Sequence, residues 1–200
     1  MPKLIVLTFV TLDGVMQAPG APEEDTDGGF SHGGWVVPYF DERLGARMHE
    51  QMTRPLALLL GRRTYEIFAS YWPTHENDWP GINDATKYVA TTTLTESLWA
   101  NTVFLPRDVA DAVRRLKRED GPDIQVHGSS QLLQTLFEQD LVDELWLKVF
   151  PVALGNGKRL FGAGVVPAAF ELRGSEALPS GVLVVDYQRK GEVTTGAFVG

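Results

Sequence analysis

The chain of 200 residues is long enough for one ordinary domain, and its apolar fraction of 44% suits a globular core rather than a disordered chain. A net charge of −8 argues against a general nucleic-acid or anionic-membrane surface, so any phosphate must be held by local groups. The absence of cysteine excludes disulfides, thiolate nucleophiles and cysteine-ligated zinc.

The first apolar run, Leu4 to Val10, is too short to cross a membrane and is not followed by a small-residue cleavage site. The expectation is a soluble cytoplasmic protein. Leu4, Val6 and Val10 fall on one pleat face and Ile5, Leu7 and Phe9 on the other, the pattern of a central strand covered on both sides. Thr11-Leu12-Asp13-Gly14 then turns the chain out of the sheet. Residues 17–38 form the longest stretch without periodicity, with two Gly-Gly pairs, three prolines and a run of acids. A loop of this length in a compact domain is usually functional or disordered. Phe30, His32 and Trp35 among its glycines suit an active-site lid. Glu23, Glu24, Asp25 and Asp27 read as a solvated loop, because no histidine stands at metal-ligand spacing to them.

Asp41 to Met52 reads as a helix capped by Asp41, with Leu44, Met48 and Met52 on one side. Leu56 to Leu60 is a buried strand that runs into Gly61-Arg62-Arg63-Thr64, which opens a helix carrying Tyr65, Phe68 and Ala69. Residues 72–83 are a loop rich in Pro, Trp and Asn. Lys87 to Ala90, followed by Thr91-Thr92-Thr93, and Thr102 to Leu105 are short strands. Asp108 caps a helix with Val109, Ala112, Val113 and Leu116 on one face.

Ile124 to Val126 ends a buried strand, His127-Gly128-Ser129-Ser130 is a tight turn, and Leu132, Leu133, Leu136 and Phe137 fall on one helical face. Leu145, Leu147 and Val149 alternate with Trp146, Lys148 and Phe150 as a strand. A glycine-bearing connection follows. Two strands, Phe170 to Ala177 and Val182 to Arg189, are joined by Leu178-Pro179-Ser180-Gly181 as a hairpin. Residues 1–190 make a single domain and 191–200 a loose tail. The alternation predicts an α/β fold with a mostly parallel sheet, antiparallel at one edge and flanked by helices.

Three junctions share one form, a strand end followed by small or basic residues: Gly61-Arg62-Arg63-Thr64, Thr91-Thr92-Thr93 and Gly128-Ser129-Ser130-Gln131. In an open parallel sheet the strand ends lie along one edge, where ligands bind. Arg62 and Arg63 offer fork-shaped donors for a phosphate monoester, and Gly128 to Gln131 offer the free N–H groups of a first helical turn. An adenine dinucleotide with a 2′-phosphate fits this set better than a mononucleotide. Each guanidinium taken singly also reads as an ordinary surface arginine. The phosphate loop G-x-x-x-x-G-K-[ST], the Rossmann fingerprint and the G-x-S-x-G elbow are all absent. His32, His49, His75 and His127 show no zinc spacing. His127 has two readings, a ligand contact and, preferred, a hydrogen-bonded structural histidine.

Leu58 to Glu66, reading LLLGRRTYE, resembles the strand–helix motif by which dihydrofolate reductases hold the NADPH 2′-phosphate, and Val126-His127-Gly128-Ser129-Ser130 stands where that fold has a glycine pair near the pyrophosphate. The likeness is closer to the C-terminal reductase domain of the bifunctional riboflavin-biosynthesis deaminase/reductase. Thr11-Leu12-Asp13-Gly14, the GRRTYE stretch, Val142-Asp143-Glu144-Leu145 and Pro151 to Gly157 all have counterparts there in order, over about residues 3–189. This resemblance implies a dihydrofolate reductase-like fold, NADPH as hydride donor, commonly a homodimer, and reduction of a small heterocycle such as the phosphoribosylaminouracil of riboflavin synthesis. Dihydrofolate reduction, or nucleotide binding without turnover, are the alternatives. No deaminase segment precedes Met1, so a stand-alone relative is expected. Ser129 replaces the usual second glycine, and Trp35 to Asp41 is one residue longer than the matching dihydrofolate reductase stretch.

By that resemblance Asp41 would bind or protonate the substrate ring, its other reading being a plain helix cap. Asp13 would orient the nicotinamide or the substrate, or else only form a turn. Phe30, Trp35 and Tyr65 are candidates to line the substrate pocket. Gly61, Arg62, Arg63, Thr64, Thr91, Thr92, Gly128, Ser129, Ser130 and Gln131 are the candidate cofactor contacts.

Overall fold

The central strand β1 (Leu4–Thr11) alternates its side chains between two apolar layers, as its sequence requires. Leu4, Val6 and Val10 enter one core, and Ile5 and Leu7 the other. Around it, the computed structural model, described for residues 1–198, builds an eight-stranded sheet. In chain order the further elements are α1 (Glu42–Met52), β2 (Leu56–Gly61), α2 (Arg62–Tyr71), β3 (Lys87–Ala90), β4 (Thr102–Leu105), α3 (Val109–Leu116), β5 (Asp123–Gly128), α4 (Ser130–Glu138), β6 (Glu144–Phe150), β7 (Ala169–Ala177) and β8 (Leu183–Gly191).

The sheet order is β4-β3-β2-β5-β1-β6-β8-β7. The first six of these are parallel, and β8 and β7 close the sheet antiparallel to β6. The expected mostly parallel sheet with an antiparallel C-terminal hairpin is what forms. Helices α3 and α4 pack on the layer containing Leu4, Val6 and Val126. Helix α2, the C-terminal end of α1 and the tryptophan-rich loop cover the layer containing Ile5, Leu58 and Leu60. A third cluster, around Phe150, joins residues 15–36 to β6 and β8.

Two helices start as their sequences direct. Asp41 accepts from the Leu44 N–H at 2.8 Å, and Asp108 from the Asp111 N–H at 2.9 Å, each carboxylate meeting the positive end of its helix. Some boundaries differ: β7 begins at Ala169 rather than Phe170, β8 runs Leu183–Gly191 and so takes in the first residue of the expected tail, and a further shift bears on the site. His127 and Gly128 belong to β5 rather than to a turn, and α4 begins at Ser130. Register against β2 runs from Leu58–Gln125 to Leu60–Gly128, so β5 carries one extra residue, a bulge that ends the ladder beside His127. Residues 192–198 are exposed and carry no regular structure. Positions 199 and 200 of the expected tail lie outside the described residues.

Candidate active site

Because β1, β2, β3 and β5 are parallel, their C-terminal ends share one edge, and two adjoining depressions open there. The larger is a cavity of about 600 Å³, a size that suits a small organic ligand. Its floor is Leu7, Thr8 and Phe9 of β1, and its walls are Met48 and Met52 of α1, Ile67, Phe68 and Tyr71 of α2, and Trp72 and Trp79. Gln17 to Ala21 and Glu24 close one side. His127 to Ser130 form the side that faces the second depression.

The second depression, about 370 Å³, is lined by Gly61, Arg62, Arg63, Thr91 to Thr93, Arg107, Ser129 and Gln131. Ser129 belongs to both. Two helix N-termini, those of α2 and α4, end here. Unlike α1 and α3, neither has a side-chain cap, and neither has an acid in its first turn. Helix α2 instead places Arg62 and Arg63 at its positive end, an arrangement that disfavours the helix until an anion offsets it. Arg62 pairs with Glu66 at 3.0 Å across one exposed turn. Arg107 lines the same depression and makes no ion pair among the described residues.

The junction between the depressions is tightly built. Gly61 and Gly128 sit where β2, β5 and α2 meet. A Cβ on Gly128 would lie 2.8 Å from Thr64 Oγ1, and a Cβ on Gly61 would lie 3.0 Å from Ser129 Cβ. The glycines let the backbone of β5 pass this close to the start of α2.

His127 hangs between Phe68 and Trp79, with ring centroids at 5.7 and 5.2 Å. Its Nε2 lies 3.1 Å from Oε1 of Gln125. The amide of Gln125 is fixed in turn, since its Nε2 donates to the Gln51 carbonyl at 3.0 Å. A carbonyl only accepts, so Oε1 is the atom turned to the histidine, and Nε2 of the imidazole carries the proton. Nδ1 is left as an acceptor with no partner among the described residues. Burial, with Lys148 behind it, pushes the histidine down to about 3, and the ring is neutral. Lys148 is fully buried and donates to Gln51 Oε1, while Gln51 Nε2 donates to Asp186 at 3.0 Å. This chain of amides anchors the cavity wall to α1 and β8.

On the other side, an ionic cluster ties the loop to the sheet edge. Lys158 lies 2.6 Å from Asp25 and 2.8 Å from Asp27, and Arg63 lies 3.1 and 2.6 Å from the same two acids. These cations hold the Asp27 carboxyl down at about 2. Gln17 adds to the tie by donating to the carbonyls of Asp25 and Asp27, both at 3.0 Å.

The structure brings all ten candidate cofactor residues to this edge. Gly61, Arg62, Arg63, Thr91, Thr92, Ser129 and Gln131 line the smaller depression, and Thr64, Gly128, Ser129 and Ser130 the larger. The five other candidates line neither. Asp13 accepts from the N–H groups of Leu154 and Gly155 at 3.2 and 2.8 Å and from the Thr11 hydroxyl, which with these amides holds it at about 2. It fastens the 151–157 connection to the end of β1. Asp41 is committed to capping α1. Phe30 and Trp35 are buried in the cluster around Phe150, Trp35 donating to the Gln17 carbonyl at 2.8 Å. Tyr65 is fully buried, its hydroxyl accepting from the Leu98 N–H at 2.9 Å. Besides His127, the cavity aromatics are instead Phe9, Phe68, Tyr71, Trp72 and Trp79, and its one carboxylic acid is Glu24, whose pKa is raised by burial.

A family model described as the RibD C-terminal domain matches residues 2–184. The uncharacterized protein YyaP of Bacillus subtilis is 29% identical over 140 residues, 67% of this chain and 74% of that protein. Solved structures share the fold, two of them as follows. A pyrimidine reductase-like protein from Corynebacterium diphtheriae superposes with a TM-score of 0.63 at 11% identity, covering 96% of this chain and 93% of that one. A diaminohydroxyphosphoribosylaminopyrimidine deaminase/5-amino-6-(5-phosphoribosylamino)uracil reductase from Thermotoga maritima superposes with a TM-score of 0.62 at 16% identity, over 94% of this chain and 57% of that one. With its parallel sheet, antiparallel closing hairpin and matched length, the chain belongs to the RibD C-terminal domain family and has a dihydrofolate reductase-like fold.

Proposed function

We propose that the protein is an NADPH-dependent reductase of a small heterocyclic substrate. The observation that carries this reading is the pair of uncapped helix N-termini, those of α2 and α4, opening on one depression that also holds Arg62, Arg63 and Arg107. Such a site favours a ligand with two phosphate groups, one met by guanidinium forks and one by backbone N–H groups. Arg62, Arg63 and Arg107 would hold the 2′-phosphate, with the hydroxyls of Thr91 to Thr93 beside them. The N–H groups of Ser130 and Gln131 and the hydroxyl of Ser129 would hold the pyrophosphate. The glycines at 61 and 128 fit that role, because a side chain at either would fill the space between the two helix starts.

When bound, the nicotinamide supplies the hydride. The residues of this chain hold both reactants and keep water out. The apolar walls of the larger cavity would surround the substrate, and the 17–24 segment would shield it from solvent. Glu24 is the one carboxyl group lining the cavity; burial raises its pKa, and the N–H groups of Gly20 and Ala21 donate to it at 2.7 and 3.2 Å. Helix α1 presents Met48 and Met52 to the cavity and no acid, so nothing in the site favours dihydrofolate over other heterocycles.

Titration of the protein with NADPH and NADH, read by quenching of Trp72 and Trp79 and by calorimetry, tests the reading. NADPH binding at least about tenfold tighter than NADH binding, narrowed by Arg62→Ala, Arg63→Ala and Arg107→Ala, is expected. Binding of neither nucleotide, or an intact preference in the triple variant, overturns it.

A further inference from the structure

The larger cavity has an unusual charge inventory for an enzyme whose relatives include a phosphoribosylaminouracil reductase. Its lining contains two formally charged side chains, Glu24 and Lys158. Lys158 is already neutralised by Asp25 and Asp27, at 2.6 and 2.8 Å, and the remaining cation nearby, Arg63, faces the same two acids. A dianionic phosphate entering from this side would meet three carboxylates against two paired cations. Most of the remaining wall is apolar or aromatic, from Phe9, Met48 and Phe68 to Trp79, and its other polar side chains, those of Thr8, Gln17, Thr64, Ser70, Ser129 and Ser130 and the imidazole of His127, carry no formal charge. Apolar, flat surroundings with no free cation favour an uncharged aromatic ring and disfavour a phosphate ester.

Among the polar groups of this lining, the imidazole of His127 stands at the end where the two depressions meet. The Gln51–Gln125 hydrogen bond fixes which way the Gln125 amide faces, and that amide fixes the His127 tautomer. Nδ1 therefore accepts and cannot donate. Phe68 and Trp79 pack against the ring, so it is held rather than free to turn. His127 is adjacent to Gly128 and Ser129, which border the proposed cofactor site, so a substrate touching Nδ1 would lie next to the hydride donor.

We infer that the cavity takes an uncharged, unphosphorylated planar ring compound, and that an N–H or O–H of that compound donates to Nδ1 of His127. The inference rests on the reductase reading and narrows its substrate class. His127 is a specificity-determining residue in this scheme, selecting for a donor at one position of the ring and against an acceptor there.

The test uses NADPH-loaded protein and three probes: quinazoline-2,4-dione, which is flat and carries ring N–H groups; its 1,3-dimethyl derivative, which carries none; and 5-amino-6-(5-phosphoribosylamino)uracil. Calorimetry is expected to show the dione binding at least about tenfold more tightly than either of the others. His127→Phe should collapse the difference between the dione and its dimethyl derivative. His127→Asn, which can offer a carbonyl oxygen in place of Nδ1, should keep part of it, and serves also if the phenylalanine variant fails to fold. Tighter binding of the phosphorylated compound, no binding of the dione at millimolar concentration, or an undiminished N–H preference in both His127 variants overturns the inference. These outcomes leave the reductase reading standing as long as NADPH binds, whereas loss of NADPH binding in the wild-type protein overturns that reading first.

Discussion

Gly61→Ala is the sharpest probe of the junction between the two depressions. At Gly61 the backbone has φ −72° and ψ 156°, which alanine adopts without strain. Any cost is therefore steric. The new methyl would overlap Ser129 Oγ and lie 3.0 Å from Ser129 Cβ and 3.1 Å from Ser129 N. Rotating the serine hydroxyl relieves the first contact but not the other two, so the start of α4 must move away from β2. Overpacking of this kind costs about 1–3 kcal/mol. The loss of a glycine from the unfolded chain offsets about 0.4–1 kcal/mol of that. A net loss of roughly 1–2 kcal/mol corresponds to a fall in Tm of roughly 2–8 °C for a chain of this size. Differential scanning calorimetry reads it directly. Ser129→Gly removes both side-chain contacts and leaves only the one to backbone nitrogen, so the double variant should recover most of the loss. NADPH affinity should fall in Gly61→Ala and recover only in part in the double variant, which restores the packing but lacks the Ser129 hydroxyl placed at the pyrophosphate. A neutral or stabilising Gly61→Ala, or additive effects in the double variant, would refute the packing described for this junction.

Other expectations follow from single contacts. Lys148, ordinarily at 10.5, is held at about 7 by burial, so between those values the unfolded chain binds the extra proton and stability rises with pH. Urea midpoints measured between about pH 7 and about pH 10 should increase, and Lys148→Met should flatten the rise, leaving the smaller contribution of Lys87, held at about 8. Asp13→Ala removes the acceptor for two loop N–H groups and should lower stability by about 1–3 kcal/mol in chemical denaturation. The same carboxylate, held at about 2 against an ordinary 3.8, supports stability above pH 3.8 that is lost as pH falls through 2, so the acid limb of wild-type unfolding should be steeper than that of the variant. Gly157→Ala meets Val15 and Phe30 at 2.7 and 2.9 Å in a backbone with φ +123°, and should cost more than Gly61→Ala in the same calorimeter.

Much of the framework was legible because it rests on local rules. Apolar runs bounded by Gly, Asp and Pro marked β1, β2 and β5, and Asp41 and Asp108 marked two helix starts that the structure reproduces. The ten strand-end residues could be grouped because parallel strands must end on one side. The substrate wall was not legible. Phe30 and Trp35 stand among glycines in a long loop, yet they fold inward against Phe150, while Trp72 and Trp79, in a stretch read only as a loop, line the cavity. Composition shows that an aromatic must be buried but not whether protein or ligand buries it. Arg107 was missed because no glycine or basic pair marks the end of β4, although that strand ends at the same edge. The alternation of β6 puts Lys148 on the face of Trp146 and Phe150 but does not show that it is buried; that follows from Gln51 of α1, which covers its ammonium group.

The ion cluster at Arg63 makes nucleotide binding an exchange rather than an addition. A phosphate that reaches this guanidinium must take it from Asp25 and Asp27, so one ion pair is lost for each one gained. Salt weakens both sides of such an exchange and largely cancels. The affinity of the wild-type protein for NADPH should then depend less on ionic strength than that of the doubly substituted Asp25→Asn, Asp27→Asn protein, with Arg107, which gives up no partner, keeping part of the dependence in both. By reciprocity, whatever loosens the 20–28 segment tightens the hold on the nucleotide, and a bound nucleotide loosens the segment. Faster amide exchange in residues 20–28 with NADPH than with NADH would be the signature, and equal exchange with both would show that the 2′-phosphate leaves Arg63 to its acids. The acids at 25 and 27 thereby set the protein's tolerance of salt as well as the position of its loop.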